Sequence, residues 1–298
     1  MLTPRPLADP PAPLPAGAPL PPLRAVVPGG APAGWFPDPW ARQQLRWWDG
    51  ASWSSSTAWP GGTAPRLPMR TLPIQAAWWA IVVTAVALVG SRVVLDELGD
   101  FEWPIVVYAA LSVVLAYGPM VAYCVWASRR WGTGRLTVDA GFEVKWVDAG
   151  WGAVVWLAAL AGEIAVAIAV VATKVPLQSN TEGIDRLSGE RGVIVALLIS
   201  AVVAAPFVEE LVFRGIVLRG LASRLPAWWA VGVQGVAFGA AHADPSRGMG
   251  NIGLVLILSA VGFVLGGAAY LLRRIGPTII AHMIFNGVVM VIVLFVRM

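Results

Sequence analysis

"APFVEELVFRG", Ala205 to Gly215, places two adjacent carboxylates and a guanidinium in a run of Ala, Val, Phe and Leu. Whether that run is a soluble core or a membrane span decides the fold. Only 13% of the 298 residues are charged and 57% are hydrophobic, whereas a soluble domain carries about 25% charged residues. With a mean hydropathy of +0.71, the chain reads as a polytopic membrane protein. The formal charge of +4 is too small for a nucleic-acid surface and reads as loop Lys and Arg that set topology. Cys124 is the single cysteine, which excludes an internal disulfide and a multi-cysteine metal site. The first residues lack the basic-then-apolar pattern of a signal peptide, so targeting falls to the first spanning helix.

Outward from the glutamates, the chain divides into four parts. Residues 1–32 contain eleven prolines and are expected to be a disordered tail. Residues 33–59 hold six tryptophans, with Asp49-Gly50 between Trp47-Trp48 and Trp53. Asp-Gly between aromatics is a hairpin signal, so this stretch predicts a small β module closed by stacked tryptophans. Residues 60–72 form a linker, and 73–298 a transmembrane domain. Seven apolar segments fall near 73–95, 104–127, 150–173, 192–223, 227–245, 251–272 and 277–296, most of them long enough for the ~20 residues of a span. The expected fold is all-α, with about seven transmembrane helices, or eight if a half-helix adds a crossing. Arg66, Arg70, Arg129, Arg130, Arg135, Lys145, Arg219, Arg224, Arg273 and Arg274 fall at alternate loops, and the other loops are more acidic. By the positive-inside rule the N-terminus is cytoplasmic and the C-terminus outside.

Ionisable groups at membrane depth are functional candidates by default. Here they are Glu163, Glu209, Glu210, Arg214, His242 and His282, with Gln234 and Asn286 as neutral companions. Glu210 and Arg214, four apart, share a helix face and can pair. Glu209 points about 100° away, with no partner of its own. His282 and Asn286 share a face, as do Phe238 and His242. Glu209 precedes Pro226 by 17 residues and His242 follows it by 16. In a hairpin turning at Pro226 both sit ~25 Å from the turn, at one level. Gly239, Ala240 and Ala241 would let the two helices of that hairpin approach closely. His282 lies only about five residues into the last segment. Levelling it with the others needs a sunken turn, a tilt or a re-entrant connection. Glu163 sits in no motif and reads as packing or pore-facing.

"EELVFR" (Glu209–Arg214), "FGAAH" (Phe238–His242) and "HMIFN" (His282–Asn286) stand in order on successive apolar segments. Together they resemble the motifs of the CPBP family, the intramembrane proteases related to type II CAAX prenyl endopeptidases and to Abi-like bacteriocin-processing proteins. "RLTVDAGF…WVDAGWG" resembles that family's amphipathic linker. The pattern GWFPDP…LRWWDG…W resembles a short bacterial domain of unknown function. Its plainest role is a protein-contact or juxtamembrane module, with carbohydrate binding as the alternative.

The first resemblance implies peptide-bond hydrolysis inside the membrane. Glu209 would activate a water with help from His242, and His282 and Asn286 would stabilise the oxyanion. Glu210, Arg214 and Phe238 would support the site. Glu209, His242 and His282 could also hold a divalent ion such as zinc, although there is no H-E-x-x-H; the metal-free reading is preferred. The expected partners are the bilayer and a peptide or small membrane-protein substrate, with no nucleic acid and with protein contact through the tryptophan module. The expected location is the cell membrane. Two alternatives stay open: a proton- or ion-coupled transporter using the same polar groups, and a non-catalytic scaffold or immunity factor.

Overall fold

The computed structural model describes residues 34–38, 45–48, 53–58, 72–99, 101, 103–178 and 191–293. The expected disordered tail, the Asp49-Gly50 turn and nearly all of the 60–72 linker lie outside them. The chain forms two compact units, Met1–Pro68 and Met69–Met298.

In the first unit β1 (Gly34–Pro37), β2 (Leu45–Trp48) and β3 (Trp53–Ala58) make one antiparallel sheet in that order. Trp35 sits opposite Trp47, and Trp48 opposite Trp53. Trp48 and Trp53 meet edge-on, with ring centroids 5.4 Å apart at 64°. That geometry suits the ring quadrupoles. Asp38 accepts hydrogen bonds from Arg46 at 3.0 and 3.1 Å.

The second unit is an all-α membrane bundle. Its elements are α1 (Ile74–Leu98), α2 (Ile105–Trp131), a short α3 (Leu136–Asp139), α4 (Asp148–Ala172), a long broken helix over 191–222, α8 (Ala227–Ala240), α9 (Asn251–Leu272) and α10 (Gly276–Val291). The broken helix comprises α5 (Arg191–Leu198), α6 (Ala205–Glu210) and α7 (Leu218–Ala222), joined by π-helical turns at Ile199–Ala204 and Leu211–Val217. Among the described residues, five helices are long and apolar enough to cross a membrane: Ile74–Leu98, Val106–Trp131, Asp148–Ala172, Ile194–Ala222 and Pro245–Leu272.

The other two expected spans are shorter. α10 has 16 residues. α8 has 14 and stops at Ala240, about 21 Å of helix against a ~30 Å hydrocarbon core. The expectation of apolar helix as far as 245 is therefore corrected. Asp244 and Pro245 end it, since proline cannot donate the next helical bond. A 3-10 turn over Pro245–Gly250 then leads into α9, and side chains pair its polar backbone groups. Here Asn251 donates to the Asp244 and Gly248 carbonyls and accepts from the Asp244 N–H, and Arg247 donates to the His242 carbonyl.

The broken helix is the spine of the bundle. Val212, Phe213, Ile216, Val217 and Leu221 pack against Ala76, Ala77 and Ala80 of α1 and Met120, Tyr123 and Cys124 of α2. Small residues set how closely its neighbours approach. A Cβ at Gly220 would sit 2.9 Å from Ala77 Cβ. A Cβ at Gly235 or Gly239 would meet α9 at 2.9 Å (Phe263 N) and 2.3 Å (Ser259 Oγ). This corrects one detail: Gly239, beside His242, seats α8 on α9 rather than on the helix that carries Glu209.

The turn between α9 and α10 is sunken. Ile275, Gly276 and Pro277 are buried. Ile275 donates to the Gly141 carbonyl at 3.0 Å, and Arg219 donates to the Arg273 carbonyl at 2.9 Å. Arg274 grips the buried Asp148 carboxylate at 2.6 and 3.0 Å. A Cβ at Gly276 would lie 2.4 Å from the Glu143 carbonyl oxygen. The strap over residues 140–148 thus closes over the turn, and α10 begins already inside the bundle. His282 thereby reaches Glu210, with Nδ1 3.0 Å from its Oε1.

Candidate active site

The two glutamates of "VEEL" diverge as the helix turns. Pro206 lacks an N–H, and just before it the helix loosens: Ala205 donates to Ser200, five residues back. π-turns of this kind gather at functional sites. They free carbonyls from the helical ladder, and the Ala201 carbonyl accepts from Asn286 Nδ2 at 2.8 Å.

Glu210 faces the bundle interior and is fully buried, as is Arg214. Its Oε1 accepts from Arg214 Nη1 at 2.8 Å and from His282 Nδ1 at 3.0 Å. Arg214 Nη2 reaches the Gly262 carbonyl of α9 at 3.3 Å. Its guanidinium lies 4.3 Å from the centre of the Phe238 ring, a cation–π contact that matters in a dry interior. Phe238 also touches the rings of His242 and His282, at centroid distances of 4.9 and 5.8 Å. The brace thus joins α6, α8, α9 and α10.

Glu209 faces a cavity of about 250 Å³. Its Oε2 lies 3.8 Å from His242 Nε2 and 4.0 Å from His282 Nε2, too far for direct hydrogen bonds. That oxygen is buried and has no hydrogen-bond partner among the described residues. His242 Nδ1 sits 2.9 Å from the Phe238 carbonyl. A carbonyl only accepts, so Nδ1 carries a proton, and Nε2 is the ring nitrogen turned toward Glu209. Asn286, one turn after His282, lines the same cavity.

The structure therefore brings Glu209, Phe238, His242, His282 and Asn286 to one cavity, with Glu210 and Arg214 directly behind it. Gln234 does not join them; it is buried against Gly266 of α9. Two residues outside the motifs do. Tyr117 of α2 donates to Glu209 Oε1 at 3.4 Å, and Glu163 of α4 lines the cavity wall. Glu163 carries the signal of a charge at membrane depth. Tyr117 carries only a polar tip in an apolar segment.

Asp244, just beyond the site and outside the helices, accepts from the Ser246 hydroxyl at 2.7 Å and the Ser246 N–H at 3.0 Å. Those bonds, with Arg92 and Arg247 nearby, hold its pKa below the ordinary carboxylate value.

As a zinc site the donor set fits poorly. Tetrahedral zinc, with bonds near 2.0 Å, would bring neighbouring ligand atoms to about 3.3 Å. The 3.8 and 4.0 Å separations are wider. Among the described residues no group of three His, Cys, Asp or Glu side chains is arranged to hold a metal ion.

Fold and site thus define a polytopic membrane bundle with a buried glutamate–histidine centre. Comparison with known proteins agrees with the family resemblance seen in the motifs. Residues 191–288 match the family described as type II CAAX prenyl endopeptidase Rce1-like, and that window holds all three motifs. Residues 33–66 match a protein family of unknown function, DUF2510. A Bacillus subtilis (strain 168) protein described as "Putative membrane peptidase YdiL" is 26% identical over 151 residues, 51% of this chain and 57% of the relative. The match thus spans little more than half the length of that relative. No solved structure matches.

Proposed function

We propose that this protein is an intramembrane endopeptidase in which Glu209 and His242 activate a water. The observation that carries the reading is the pair of facing groups. Glu209 Oε2 and His242 Nε2 are 3.8 Å apart, too far for a direct hydrogen bond and close enough for one water to bridge. A water between them donates to both and turns a lone pair toward the cavity.

The steps balance with this chain's own groups. As the water oxygen bonds to the scissile carbonyl carbon, its proton passes to Glu209. The carbonyl oxygen becomes an oxyanion beside His282 and Asn286. Asn286 has a second amide hydrogen beyond the one given to Ala201. His282 commits Nδ1 to Glu210, so donation from Nε2 requires the imidazolium. With Glu209 protonated, Glu210, Arg214, that imidazolium and the oxyanion sum to zero charge, the favoured state in a low dielectric. Two fixed donors aimed at the developing charge lower the barrier most where water is excluded. The C–N bond then breaks, and Glu209 returns its proton to the leaving amine. No step runs through a metal.

We further propose that the basic face is cytoplasmic, and that the substrate is a peptide or small membrane protein reaching the cavity from the bilayer. The test is mass spectrometry of membrane-derived and secreted peptides from cells carrying wild type or Glu209→Ala. The expected result is a set of cleavage products absent in the variant, whose folded yield is unchanged. Release of the same products by purified wild type is expected to survive chelation. Identical peptide profiles would count against the peptidase and favour a scaffold.

A further inference from the structure

One ionisable group of the catalytic cavity takes no part in the hydrolysis. Glu163, partly buried on α4, lines that cavity with Glu209, His242 and His282. Val155 and Ala159, two turns and one turn before it, pack with Val261 and Leu265 of α9 and Ala281 of α10. Glu163 thus continues the face of α4 that is turned to those helices.

Two contacts set its depth. A Cβ at Gly152 would lie 2.5 Å from Ile280 Cγ2, and one at Gly276 would lie 2.6 Å from Asp148 Oδ2. Asp148 and Gly152 therefore sit beside Gly276 and Ile280, and α4 and α10 run side by side in the same direction. On that register Glu163 falls near Val291, ~13 Å farther along the bundle than His282. Val289 and Met290 line the cavity near that level. The cavity of about 250 Å³ thus runs from the catalytic groups along α10 to Glu163, between apolar walls that include Leu258 and Phe285.

Glu163 stands outside the charge balance of the site. Arg214 and the His282 imidazolium are offset by Glu210 and the oxyanion. Among the described residues no Lys or Arg lines the cavity, and no cation or hydrogen-bond donor reaches the Glu163 carboxylate. A carboxylate at membrane depth is costly unless a cation pairs with it. A metal ion would need several converging oxygens, whereas the walls beside Glu163 are apolar. A lysine or arginine side chain suits both features, laying its methylenes on the walls and its charged head against the carboxylate.

We infer that Glu163 makes the far part of this cavity a subsite for a basic side chain of the substrate. The ~13 Å from His282 is about four residues of extended peptide, so the lysine or arginine lies within about four residues of the scissile bond. The inference rests on the peptidase reading and names the substrate class that the site selects.

The test needs no known substrate. Peptides made from a membrane proteome with a glutamate-specific protease are incubated with the purified full-length protein in nanodiscs, and mass spectrometry reads the residues around each new end. Lys and Arg are expected to be about tenfold enriched at one position within about four residues of the cut, the yield of one partly buried ion pair. The enrichment falls to about twofold in Glu163→Gln, which removes the charge, and survives in Glu163→Asp, which keeps it. Wild-type cuts with no basic preference, or a preference that Glu163→Gln leaves intact, overturn the inference while leaving the peptidase standing. If the wild type makes no cuts, binding decides, with fluorescent apolar peptides of one core sequence that carry a single central Lys, Arg or norleucine. Tighter binding of the basic peptides that is lost in Glu163→Gln supports the subsite and tells against the peptidase. Equal binding of basic and norleucine peptides overturns the inference.

Discussion

Glu209 and Glu210 are neighbours in sequence with opposite surroundings. Glu210 is sealed between Arg214 and His282, whereas Glu209 Oε2 has no direct hydrogen bond among the described residues. Removing one partner from a buried ion pair strands the other charge, at a cost of about 3–5 kcal/mol. Glu210→Ala is therefore expected to lower the thermal midpoint in detergent sharply, and Glu209→Gln to change it little. Equal midpoints for the two variants would contradict this division. Part of the arrangement was legible from spacing. The four-residue step pairs Glu210 with Arg214, and counting from Pro226 levels Glu209 with His242. The bonds from His282 to Glu210 and from Tyr117 to Glu209 were not legible. Each depends on the depth of a second helix, which local periodicity does not encode.

At the scale of elements, the site depends on three departures from straight spans. π-turns loosen the helix on either side of Glu209, α8 stops beside it, and α10 starts below the surface of the bundle. Apolar length revealed where helices lie but not where they end. α8 ends through Asp244, Pro245 and Asn251, and the start of α10 is held by Asp148, which lies 126 residues from Arg274. His242 hangs from the end of α8, so the seating of α8 on α9 positions it. A Cβ at Gly239 would come within 2.5 Å of the Val255 carbonyl oxygen. Overpacking of this kind costs about 1–3 kcal/mol. Gly239→Ala is expected to lower the thermal midpoint modestly and to reduce peptide cleavage more than the stability loss explains. Wild-type turnover in that variant would show that α8 seating does not set the site.

At the scale of the molecule, the membrane unit holds a few paired polar groups within an apolar interior and presents large apolar side chains on its surface. Glu210, Arg214 and the interhelical glycines lie inside, and Val86, Ile168 and Leu271 face outward. That suits a bilayer, where close backbone approach and polar contacts hold helices together. The bundle is also two-faced. Hydrogen bonds link the start of α1 to Tyr123, Arg219 to Arg273, and Arg274 to Asp148, which gathers the basic loops on one side. Exposed Trp146, Trp228 and Trp229 lie on that side, as an interfacial belt would. Cytoplasmic placement of this face predicts that a cysteine at Arg224 resists an impermeant thiol reagent in intact cells and reacts after lysis. Reaction before lysis would reverse the topology. The central claim is hydrolysis by water held on Glu209, and cleavage by purified, reconstituted protein in H₂¹⁸O tests it most directly. Wild type is expected to yield a product whose new C-terminal carboxylate carries one ¹⁸O, and Glu209→Gln to reduce that yield by about 10²–10⁴-fold. Undiminished ¹⁸O-labelled product from Glu209→Gln would contradict the account.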